Sequence, residues 1–77
     1  MENLIHEVLN VLRSRIGELL RVSKYRREYI IKELGITQNT LSNWCTGKTY
    51  PTMDKAYILA DLLEVKVDEL YDRTYTD

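Results

Sequence analysis

Seventy-seven residues, 44% hydrophobic and 30% charged, describe one small folded domain with a single core and exclude a disordered chain. The formal net charge of −1 argues against a nucleic-acid partner only until its distribution is seen: residues 10–55 hold nine Lys/Arg against four Asp/Glu, and residues 56–77 hold two against six. A basic middle beside an acidic end favours a binding face on the middle segment.

The chain opens on an apolar stripe, Ile5, Leu9, Leu12, Ile16 and Leu19, widened by Val8, Val11 and Leu20, whose spacing predicts one long amphipathic helix. Only the second half of that stripe is needed to cover a small core. Ile5, Val8, Leu9 and Leu12 are therefore expected to contact a partner chain or a second copy, a supplement that a core of this size needs. The opening segment includes His6 and Glu7 and lacks a small-residue cleavage site, so it resembles neither a signal peptide nor a membrane span. A cytoplasmic location is expected, and the lone thiol of Cys45 fits a reducing compartment while excluding an internal disulfide.

Between Leu20 and Tyr25 only Ser23 is suited to begin a new helix. Tyr25, Tyr29, Ile30, Ile31 and Leu34 mark a second helix over residues 25–34, with Gly35 placed for a left-handed cap. Thr37 suits the N-cap of a third helix that runs to Cys45 or Thr46 and ends at Gly47. The residue before proline is biased away from helical angles, so Thr49-Tyr50-Pro51 reads as an extended connection. Thr52 can cap a fourth helix with Met53, Ala56, Leu59, Ala60 and Leu63 as its buried stripe, and residues 67–71 predict a short last turn that carries Leu70 inward. No strand-like alternation is visible, so the expectation is all-α: a helical extension over residues 1–15, a compact five-helix domain over 16–71 and a mobile tail over 72–77.

An amphipathic run, a glycine and a second short helix, spanning residues 26–51, outline a helix-turn-helix. The outward positions of its second helix carry Gln38, Asn39, Thr40, Ser42 and Asn43, whose amides and hydroxyls both donate and accept hydrogen bonds at base edges. A helix selected only for solubility carries Glu and Lys more often.

The ordered set Ile16 and Leu19, Ile30 and Leu34, Gly35, Thr37 with Leu41 and Trp44, Gly47-Lys48, Pro51, then Ala60, Leu63, Val65, Val67 and Leu70 resembles the phage repressor and Cro family of XRE-type helix-turn-helix regulators. The resemblance covers about residues 16–71. It implies a five-helix fold whose third helix enters the major groove, as a dimer on two half-sites about 34 Å apart. Four positions depart from the family pattern: Ile31 stands where a small residue is usual, Arg27 where many members have a glutamine that anchors to a phosphate, and Lys24 and Glu64 where glycine is common.

Carried onto this chain, the resemblance implies that Gln38, Asn39 and Asn43 read bases, an amide being able to grip adenine in bidentate fashion. Thr40 and Ser42 reach bases or phosphates. Thr37, Arg27, Lys48, Thr46 and Tyr50 flank the groove at phosphates, and Lys24 and Arg26 extend that strip. The plainer account of each is a solvated polar or charged side chain. Leu41 and Trp44 belong to the inward face, and Cys45 is a spectator thiol. One His, one Cys and no glycine-rich phosphate loop give neither a catalytic set nor a metal or cofactor site, and Asp68-Glu69 fit the start of a short helix.

The sequence therefore points to a sequence-specific regulator of phage or bacterial origin that binds double-stranded DNA as a homodimer and represses by occupying an operator. Its rival is a protein-interaction module on the same fold, a co-repressor, antirepressor or antitoxin-type partner of a regulatory protein.

Overall fold

A computed structural model describes residues 11–74, in the order β1 (Val11–Ser14), α1 (Ile16–Arg21), α2 (Arg27–Leu34), α3 (Gln38–Thr46), α4 (Met53–Leu63), a 3-10 turn (Val67–Leu70) and β2 (Tyr71–Thr74). Ile5, Val8 and Leu9, expected to contact a partner, lie outside the described residues.

The strands correct the all-α, five-helix expectation. β1 and β2 pair antiparallel, Val11 opposite Thr74 and Ser14 opposite Tyr71, where a continuous first helix and a tail were expected. Among the described residues there are four α-helices and one 3-10 turn. No helix runs through Val11–Ser14 because the backbone there has better partners far away in sequence. Arg15 donates its N–H to the Leu70 carbonyl at 2.8 Å, and the Ser14 hydroxyl donates to the Trp44 carbonyl at 2.8 Å while accepting from the Ile16 N–H at 3.3 Å. A serine that bonds the backbone locally competes with helix continuation, and here it marks the end of a strand. Leu12 thus sits on β1 and is 45% exposed.

Three smaller corrections follow. α2 starts at Arg27 rather than Tyr25, because the Ser23 hydroxyl accepts the Tyr25 N–H at 3.0 Å and holds a turn, after which Arg26 takes extended angles as N-cap. Lys24 does not adopt left-handed angles; among the described non-glycine residues only Glu64, at φ 62°, does so, as the C-cap of α4. Met53, expected in the buried stripe, is 66% exposed. Side chains tilt toward a helix's N-terminus, so one in the first turn projects past the helix body, and burial begins a turn later at Ala56.

The core takes Ile16 from α1, Ile30 and Leu34 from α2, Leu41 and Trp44 from α3, the Ala56, Leu59, Ala60 and Leu63 face of α4, and Leu70. Ile31, larger than the family favours, is half-buried against the edge of this cluster. Among the described residues no polar or charged side chain is buried as a whole, and no helix is long and apolar enough to cross a membrane.

Candidate nucleic-acid interface

The geometry of α3 follows from its two ends and its two buried anchors. α2 stops at Gly35, whose left-handed φ of 65° lets its N–H reach the Ile31 and Lys32 carbonyls. A residue without Cβ takes that conformation at no steric cost. Two residues later Thr37 accepts the Thr40 N–H through its hydroxyl at 3.1 Å, capping α3. The far end closes at Gly47, φ 81°, where Lys48 and Thr49 return their N–H groups to the Asn43 carbonyl at 2.9 and 3.3 Å. Leu41 and Trp44, 0% and 4% exposed, fix the rotation of the helix about its axis. The opposite face is therefore presented to solvent in one orientation.

On that face Gln38 and Asn39 are exposed, and Thr40, Ser42 and Asn43 are half-buried. The Gln38 amide donates to the Ser42 hydroxyl at 3.4 Å, a long contact that a stronger partner can replace. The Thr40 hydroxyl is held by that of Thr37 at 3.0 Å. The carboxamides of Asn39 and Asn43 have no partner among the described residues. These five side chains form one polar surface carrying no formal charge.

The residues expected at phosphates come from the α1–α2 connection and the start of α2, both ends of α3 and the connection after it. Arg26 and Arg27 stand at the N-cap and first position of α2. Two guanidinium groups at the positive end of a helix dipole oppose its field, which an anion placed there would relieve. Arg27 also donates to the Cys45 sulfur at 3.6 Å, beside a cavity of about 390 Å³ lined by Gly17, Leu20 and Arg21 as well. Lys48 is exposed just past α3, and the Thr46 hydroxyl donates to the Asn43 carbonyl at 3.2 Å. Lys24 is engaged elsewhere: its ammonium pairs with the Glu64 carboxylate at 2.8 Å, which holds its pKa above the usual lysine value, and it lies 5.3 Å from the centre of the Tyr25 ring. Tyr50 packs edge-on against Tyr71 at 5.6 Å.

Two positioning residues carry no local signal in the sequence. Ser14 ties β1 to the end of α3, and Lys55 on α4 donates its ammonium to the Leu34 carbonyl at 2.9 Å, closing the C-terminal end of α2. Both partners are distant in sequence, so periodicity does not reveal them.

The helix-turn-helix family profile matches residues 20–70. The chain belongs to the XRE-type helix-turn-helix family. The family span begins inside α1 and ends with the 3-10 turn, so both strands lie outside it. The fold is also similar to the crystal structure of a candidate DNA-binding protein from Bacteroides fragilis, at 27% identity and a TM-score of 0.71, covering 80% of this chain and all of that one. No curated protein matches the chain.

Proposed function

We propose that this helix-turn-helix chain is a sequence-specific DNA-binding regulator of phage or bacterial origin that represses by occupying an operator, with α3 in the major groove. The observation that carries this reading is the α3 surface. Its five amide and hydroxyl side chains are neutral, outward and held on a helix capped at both ends, which suits direct readout of base edges. Gln38, Asn39 and Asn43 are assigned to bases, with Thr40 and Ser42 beside them. Thr37, Arg26, Arg27, Thr46 and Lys48 are assigned to phosphates. Lys24, which pairs with Glu64, and Tyr50, whose ring packs on Tyr71, are assigned there as well. The similarity to a candidate DNA-binding protein supports the same reading. A homodimer would present two α3 helices to half-sites about one helical turn apart.

Selection of bound genomic fragments by the purified protein, beside a Gln38→Ala, Asn43→Ala variant at about 0.15 M salt, tests the proposal. The expected result is a short two-fold-symmetric site that the variant loses while keeping its thermal midpoint. Failure of the folded wild-type chain to enrich any site would reject DNA reading and favour a module that binds a regulatory protein.

A further inference from the structure

α1, the first turn of α2 and the last turn of α3 meet around the cavity of about 390 Å³ whose walls hold Gly17, Leu20, Arg21, Arg27 and Cys45. That space would take roughly a dozen waters at about 30 Å³ each. Gly17 brings α1 close to α3, since a Cβ on it would stand 3.6 Å from the Cβ of Cys45. The charge of the cavity is one-sided. Arg13 and Arg15, just before α1, are paired with Asp72 at 2.7 Å and Glu18 at 3.2 Å. Arg21 makes no ion pair or hydrogen bond among the described residues, and Arg27 has only the Cys45 sulfur, a weak acceptor, at 3.6 Å. No carboxylate stands among the described residues that line the cavity. The sequence assigns Arg21 no role, because its helix is not the one that carries Arg27; the fold brings both to one wall.

We infer that this cavity is a phosphate site in which Arg21 is a ligand beside Arg27. A carboxylate has two oxygens, which a single guanidinium fork satisfies, whereas a phosphate spreads its oxygens over a tetrahedron and accepts two forks. Two cations gathered without a counter-charge also raise the local potential, which an anion lowers. Gly17 and Leu20 offer no side-chain donor, so the two guanidinium groups carry the contact. None of the five lining residues is fully buried, and Arg21 is exposed, so an anion reaches the site from solvent. The phosphate comes either from the DNA backbone or from a free phosphorylated small molecule. Only the first source rests on the DNA-reading proposal, in which Arg27 is already assigned to the backbone.

Two variants of the full chain test the inference: Arg21→Gln, and Lys32→Gln as a control that removes equal charge at the far end of α2. Both should keep the wild-type thermal midpoint. In the first arm inorganic phosphate is titrated at low salt into ¹⁵N-labelled protein, following the Nε–H signals of Arg21 and Arg27 and the Gly17 amide. Saturable shifts in the wild type and in Lys32→Gln, weakened at least tenfold by Arg21→Gln, uphold the site. The second arm measures binding of the selected duplex at several salt concentrations. A loss of about tenfold in Arg21→Gln alone, with a shallower salt dependence and the same preferred sequence, identifies the backbone as the source. Phosphate shifts beside unchanged DNA binding identify a free phosphorylated molecule instead. Should the wild type select no DNA, the reading falls and the phosphate arm alone decides the site. No saturable shift, with DNA binding absent or indifferent to Arg21→Gln, would overturn the inference.

Discussion

Glu64 shows how one residue sets local geometry against local charge. It holds the left-handed C-cap of α4 at φ 62°, ψ 41°, where a side chain crowds the following carbonyl, while its carboxylate pairs with Lys24. The ion pair joins two well-exposed side chains and contributes little, whereas relieving the backbone strain contributes about 1 kcal/mol. Glu64→Gly should therefore raise stability, seen as a higher urea midpoint with an unchanged slope. An equal or lower midpoint would mean that the pair outweighs the strain. Arg27 is a comparable conflict. The Arg27→Gln variant removes a cation from the positive end of α2 and should stabilise the fold by about 0.3–1 kcal/mol.

At the scale of elements, α3 depends on its cap and the sheet on Tyr71. Thr37→Ala removes the hydroxyl that accepts the Thr40 N–H and should lower stability by about 1 kcal/mol in urea titration. The same change frees the Thr40 hydroxyl, so any loss of DNA affinity should exceed what the fall in stability alone explains. The Tyr71 hydroxyl is buried without a hydrogen-bond partner among the described residues, and burial raises its pKa above the ordinary tyrosine value. A raised folded pKa means that the stabilisation is complete below the unfolded value and is lost as pH rises through the folded one. Unfolding midpoints should therefore fall at alkaline pH, and Tyr71→Phe should flatten that fall. Lys24, also raised, contributes to the same limb and should remain in the variant. An unaltered alkaline limb in Tyr71→Phe would count against the burial argument.

Across the whole molecule, charge and apolar surface are divided between regions. The net −1 conceals a basic middle segment, so attraction to DNA should follow local rather than total charge. If Arg27 meets one phosphate, Arg27→Gln should reduce the slope of log affinity against log salt by about 0.9. An unchanged slope would place Arg27 away from the backbone, with its contact to Cys45 as its main role. The same variant thus separates folding from binding, because stability should rise as affinity falls. An apolar groove beside the sheet is built largely from other residues.

The sequence by itself determined the motif that organises the fold. Gly35, Thr37 and Gly47 act through the conformation of their own few residues, and Leu41 with Trp44 follows from helical period, so α3 and its polar face were legible from local rules. Over Val11–Ser14 the apolar stripe was misleading because periodicity reports which positions can share a face, not whether the backbone runs as a helix. Only tertiary structure decided that β1 forms, since its ladder joins Val11–Ser14 to Tyr71–Thr74 at the other end of the chain. The engagement of Lys24 by Glu64, Lys55 by the end of α2 and Ser14 by the Trp44 carbonyl was settled in the same way. Each depends on partners distant in sequence, which become neighbours only after the core has assembled.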